Sequence, residues 1–459
     1  MTGKPPRPKG SSWFTVLDLA RDPLRRPLHY FERFGDSFGG HLFGKDFIVT
    51  RDPALFEEVL VKKHKAFAKD DITRGLSQLL GSGLLTSEGE QWKNSRRVIV
   101  PHLQARSIER YLEIFRRETE RSLRGWVPGV TFDLHAEMTA LSVRIMLSSV
   151  FGTATEDARE FEHSMQAVMK YFAGVANTSL PLPLWLPVPG NRRFLQAREH
   201  LNQGVRRIIA AARQDREGSS VLHSLLAAQD SGELSEQQLV DEALTLLLAG
   251  HETTALALTY TLALLGDAPA EQAAIREQSQ ELGAPDSLGA LREQRLLASA
   301  LKESMRLYPQ SWAIGREALQ DVEIGPFSID RRTQVYLYQW AAHQNPRWFE
   351  RPEEFLPARW TPEFEAALPR CAYTPFGGGP RICIGNHFAW AELVCVLSAA
   401  LARFDFQPVQ PFRPRLLLSV TARPRDPVPM RVALLPHASA RSVAFRGGSP
   451  LSERAATPG

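Results

Sequence analysis

The stretch Ala243–Leu265, ALTLLLAGHETTALALTYTLALL, restricts the possible folds more than any other part of the chain. Its length would span a bilayer. Near its centre, however, stand His251 and Glu252, which hydrocarbon penalises. A helix that is apolar on every side is a buried helix. The stretch therefore reads as the core helix of a large protein, and 459 residues are enough to wrap it. Polar groups inside such a helix need partners or a task. Gly250 costs about 1 kcal/mol there relative to alanine and leaves space beside the backbone. The Thr253 hydroxyl can bond back to the i−4 carbonyl, or to water or a ligand. Glu252 can pair with an arginine or pass protons.

Helical patterns dominate the rest. Pro53–His64 is amphipathic with proline in its first turn. Residues 105–127, 133–151, 155–175 and 192–214 also read as helices. Strand-like runs are short: Asp46–Thr50, Val322–Ile324, Gln334–Tyr338 and Leu416–Thr421. The expected fold is mainly α with small β-sheets. Closely spaced prolines between Leu180 and Pro189 forbid a helix, so this apolar segment is either a buried connector or a lid. Residues 1–12 and 438–459 are expected to be disordered tails around a single domain, 13–437. The first residues hold no apolar stretch, so neither a leader nor a membrane anchor is expected. A net charge of +4 is small for this length, and no basic tract interleaved with aromatics points to nucleic acid. Three cysteines argue against a disulfide framework and for a reducing compartment.

One of those cysteines ends a glycine-rich loop, Phe376-Gly-Gly-Gly379-Pro-Arg381-Ile-Cys383-Ile-Gly385, which runs into a helix-like segment. Glycines permit positive φ and close approach to a flat ligand. Helix-start N–H groups and Arg381 favour a thiolate. A zinc site with His387 is conceivable, but no CxxC or HExxH accompanies it. The pattern F-x-x-G-x-R-x-C-x-G resembles the haem-binding loop of the cytochrome P-450 monooxygenases, soluble bacterial type. The resemblance continues through Trp92-x-x-x-Arg96, Ala249-Gly250-x-Glu252-Thr253, Glu303-x-x-Arg306, Gly315-Arg316, His343–Phe349 and Pro357-Ala-Arg359-Trp360. It covers about residues 30 to 435.

The resemblance implies the cytochrome P-450 fold around a buried haem b, with Cys383 as proximal iron ligand. It places Trp92, Arg96 and Arg316 at the haem propionates. Ala249, Gly250, Phe376, Gly379, Arg381 and Gly385 fall at the cofactor. Glu252 and Thr253 would organise proton delivery during dioxygen reduction. Glu303, Arg306 and Arg359 would form a structural network, with tryptophan at 360 where phenylalanine is usual. His102, His251 and His387 read as hydrogen-bonded groups rather than ligands. Pocket walls would come from residues 67–90 and 163–190, the helix around Leu246–Thr254, Ser311–Ile314 and Leu418–Thr421, including Phe67, Trp185, Leu246, Trp312 and Ile314.

The implied activity is insertion of one oxygen atom into a lipophilic substrate, by hydroxylation or epoxidation, in a cytoplasmic monomer. No flavin or nicotinamide segment remains in the chain, so electrons would come from a ferredoxin or flavodoxin with its reductase, docking near Lys93 and Arg97. A peroxide-driven peroxygenase of the same fold and a non-enzymatic haem sensor are the alternatives.

Overall fold

The computed structural model describes residues 3–8, 12–42, 44–152, 183–215 and 218–435, with 164–165, 167–168 and 170–172 between them. The expected tail at 438–459 and most of the expected helix at 155–175 lie outside the described residues.

The apolar stretch is the heart of a longer helix, Glu236–Gly266. It starts on a capping box: Gln238 N–H donates to Ser235 Oγ at 3.2 Å, and the Ser235 N–H donates to Gln238 Oε1 at 2.7 Å. Almost every residue from Leu239 to Leu265 is buried. The helices Leu134–Met146, Pro189–Gln214, Arg295–Leu307 and Asn386–Arg403 pack around it. Among the described residues no helix is long and apolar enough to cross a membrane.

Several boundaries moved. The helix expected at 53–64 is α only over Pro53–Glu57 and then widens to a π-turn over Glu58–Lys62. The helix expected at 133–151 likewise ends in a π-turn, Leu147–Phe151. Pro189 closes the proline-rich segment by starting a helix, as proline can at a first position.

A five-stranded sheet flanks the helices. Lys45–Thr50 and Gln334–Leu337 run parallel, with Phe47 opposite Gln334, while Ser37–Leu42, Ile314–Ala318 and Phe67–Lys69 complete it. Ser37–Leu42 was not expected. Its glycines hide the strand pattern, yet Gly40 is needed, because a Cβ there would lie 2.5 Å from the Phe47 ring that covers it.

The disordered tail expected at 1–12 is corrected for residues 3–8. Gly3 exchanges backbone hydrogen bonds of 2.9 Å with Pro326 and Ser328, and the Gly39 N–H donates to Pro6 O at 2.8 Å. Backbone pairing needs no apolar side chain, so composition could not announce it.

The expected network is present, with Glu303 and Arg306 fully buried and Arg359 at its edge. Glu303 Oε1 accepts from Arg306, Arg359 and the Leu356 N–H, and Oε2 accepts from Arg306 and Trp360 Nε1, all at 2.9 Å. The unusual tryptophan thus adds an indole donor that phenylalanine would lack. Glu303→Ala strands two buried guanidinium groups and should cost about 3–5 kcal/mol. Trp360→Phe should cost about 1–3 kcal/mol. Urea unfolding midpoints of the two variants check both values and their order.

Candidate functional site

The cysteine loop is shaped by backbone contacts. The Cys383 N–H donates to Phe376 O at 2.9 Å. Gly377 and Gly379 take φ of 74° and 66°. Gly379 is required twice over, since a Cβ on it would sit 1.8 Å from the Leu60 carbonyl oxygen. Cys383 carries accessible surface at the end of this loop. Burial pushes its thiol pKa up, while the Gly385 N–H and the Arg96 charge pull it down. The expectation that Arg381 lowers this pKa is therefore corrected. Burial outweighs the positive field, the acting cation is Arg96, and only a coordinated metal would ionise the sulfur outright.

Arg381 is engaged elsewhere. It pairs with Glu88, donates to Ser87 O at 3.2 Å and stacks on the Trp92 ring at 3.8 Å. Arg96 covers the same ring at 5.6 Å and donates to Ile382 O at 3.4 Å, one residue from the cysteine. The i, i+4 spacing did place Trp92 and Arg96 together, but the indole lies between two guanidinium groups. Arg316 stands on the strand Ile314–Ala318 opposite Lys69 and donates to Gly315 O at 2.7 Å. Burial lowers the pKa of both Arg96 and Arg316. Neither forms an ion pair among the described residues.

Lys69 was missed. It is buried, donates to Ser87 O at 2.6 Å and Leu84 O at 3.2 Å, and has its pKa pushed down to about 7 by burial and by Arg381. A lone lysine on a three-residue strand carries no motif, so only the sheet register reveals it. These cations suit a flat dianionic group whose metal meets Cys383. The residues present therefore fit haem. Among the described residues no three His, Cys, Asp or Glu side chains converge, so the zinc reading lacks a ligand set.

On the central helix Ala249 is exposed and Gly250 and Thr253 are half-buried, in contrast to the buried residues on either side. The Thr253 hydroxyl donates back to Ala249 O at 2.8 Å. Glu252 is buried and turned aside, where its Oε1 accepts from Thr421 Oγ1 at 3.1 Å. Burial raises its pKa, against the pull of Arg423 and Thr421. Gly250 differs from expectation: a Cβ there would lie 2.6 Å from Met146 Sδ, so the glycine admits a neighbouring helix rather than a ligand. His251 is a satisfied core group, bonded to Leu247 O at 2.7 Å. Cys371 and Cys395 are free thiols, as Cys383 is. Of the expected wall residues, Phe67 and Leu246 are buried and Trp312 and Ile314 half-buried. Trp185 is corrected, because 81% of its surface is exposed and it faces solvent.

The Cytochrome P450 family model matches residues 5–428. Cyclooctatin synthase of Streptomyces melanosporofaciens is 32% identical, over 90% of this chain and 92% of its own. Pentalenene oxygenase of Streptomyces avermitilis is 27% identical, over 88% and 93%. The solved haem domain of cytochrome P450DA superposes with a TM-score of 0.83 at 24% identity, covering 95% of this chain and 99% of that one, a likeness of fold.

Gly379→Ala should destabilise the loop by about 1–3 kcal/mol from its positive φ alone, before the Leu60 clash is added. Haem retained through gel filtration, set beside the thermal midpoint, checks this. Retention at the wild-type level would show that the loop tolerates the methyl group.

Proposed function

We propose a terpenoid substrate for this chain, which belongs to the cytochrome P450 family and is a haem-dependent monooxygenase. The carrying observation is the resting position of Glu252. With its carboxylate turned to Thr421 and His251 bonded to the backbone, the accessible part of the helix at this break is Ala249, Gly250 and Thr253, none of them charged. Relatives named for cyclooctatin, cyclooctat-9-en-7-ol and pentalenene support an apolar, ring-rich carbon skeleton.

Haem b supplies the redox chemistry that splits dioxygen and oxidises the substrate. In our reading Cys383 ligates its iron. Arg96 and Arg316 bind its carboxylates, with Trp92 and Arg381 ordering Arg96 from the other side of the indole. Phe376, Gly379 and Gly385 hold the loop that presents the sulfur. Thr253 holds a proton at Oγ1 once its bond to Ala249 O is released, and Glu252 replenishes it. Electrons come from a ferredoxin or flavodoxin with its reductase. Lys93 and Arg97 stand exposed on the helix Gly89–Leu103 but are paired with Glu90 and Glu233, so an acidic partner must compete for them. A single domain that takes in residues 3–8 as well as 13–437, a monomeric state and a reducing cytoplasm complete the reading.

A ligand panel of terpenes, fatty acids and steroids, read by the haem spin-state shift, tests the substrate class. Terpenes should give the tightest shifts, and a response confined to fatty acids would overturn the proposal. Cys383→His should abolish the thiolate-type spectrum of the reduced carbon monoxide complex. Thr253→Ala should keep nicotinamide consumption while product per nicotinamide falls and peroxide rises, measured by parallel assays of all three.

A further inference from the structure

The hairpin formed by Leu416–Leu418 and Ala422–Pro424 lies against the polar break in the central helix, and its tip is unusually well tied. Trp312 Nε1 donates to Ser419 O at 3.0 Å, the Ala422 N–H donates to Gln310 O at 3.0 Å, and Tyr260 OH donates to Ala422 O at 2.6 Å. Tyr260 and Ala422 are buried. Thr421, also buried, is therefore carried on a rigid mount when its hydroxyl meets Glu252 Oε1 at 3.1 Å. Two places further on, in the strand Ala422–Pro424, is Arg423, half-buried, whose charge acts on Glu252 without forming an ion pair to it among the described residues.

We propose that Thr421 is a positioning residue for Glu252: its hydroxyl, fixed on the hairpin, parks the carboxyl group away from Thr253. The inference rests on reading Glu252 as the proton donor. A carboxyl group buried this deeply would stay protonated without help. Donation by Thr421 and the field of Arg423 both stabilise the anion, so the hairpin sets how readily the proton leaves. The other titratable groups facing this pair are Tyr260 from the same helix, which feels both charges, and His135 from the helix Leu134–Met146, which feels Arg423. His251 feels His135. Tyr260 has its pKa raised well above its usual value, and both histidines are pushed down to about 4 by burial. None of the three therefore titrates near neutrality.

The test uses haem-loaded protein with Thr421→Val, Thr421→Ser and Glu252→Gln. The infrared band of a protonated carboxyl group, assigned by its loss in Glu252→Gln, is titrated in each. Removing the hydroxyl in Thr421→Val should move its midpoint upward by about one pH unit, since a hydrogen bond to a charged group is worth about that much. Thr421→Ser should restore the wild-type midpoint, which a packing defect from the lost hydroxyl site would not do. The pH limb of product per nicotinamide that vanishes in Glu252→Gln should move in parallel. An unchanged midpoint in Thr421→Val, with the carbon monoxide spectrum intact, would overturn the inference. Should the band move while Glu252→Gln leaves product per nicotinamide untouched, the positioning stands and the proton-donor reading falls.

Discussion

A carboxylate can be buried in protein only if donors surround it, and Glu303 is where this chain meets that demand. Its two oxygens draw together the helix Arg295–Leu307, the turn at Leu356 and the segment carrying Arg359 and Trp360. Arg306 extends the tie to His343 O at 2.9 Å and Pro352 O at 2.7 Å. His343, kept neutral by a pKa pushed down to about 3 through burial, accepts from the Thr374 N–H at 3.2 Å. Thr374 stands just before Phe376, so the cysteine loop hangs from a carboxylate far back in the chain. A loop held from behind can keep its open side free for a ligand.

The parts of this arrangement that were legible beforehand are those in which several residue types must coexist at fixed spacing. Gly379, Arg381 and Cys383 form such a pattern, as do Glu303 and Arg306, and the central helix announces itself by apolar residues on all sides. What stayed hidden depends on partners distant in sequence. Lys69 becomes meaningful only when strand register sets it opposite Arg316. Thr421 fell within the expected strand and pocket wall ending there, but its bond to Glu252 on a helix far back in the chain was not legible. Gly250 was legible as an oddity but not as to cause, because nothing local says that Met146 takes the space. Residues 3–8 were misjudged for a related reason: strand pairing uses backbone groups that every composition shares.

The central helix also shows that a polar break need not be poised for action at rest. Thr253 satisfies itself on Ala249 O and Glu252 on Thr421, so both polar groups of the break have a partner. Both partners are weak enough to be exchanged, a hydrogen bond being worth about 0.5–1.5 kcal/mol net. The same contacts that let the helix stay buried leave its chemistry reversible.

Arg96, Arg316, Arg381 and Lys69 gather at one site with Glu88 as the ion-paired anion among them. Like charges brought together in low dielectric repel, and at Lys69 the Arg381 charge adds to burial, the larger cause, in pushing its pKa down to about 7. A ligand bearing two carboxylates relieves that repulsion as it binds. Linkage then requires the folded state to gain stability with ligand concentration. In the proposed arrangement the cluster thus ties the stability of the folded chain to cofactor supply: protein short of haem keeps the uncompensated charge.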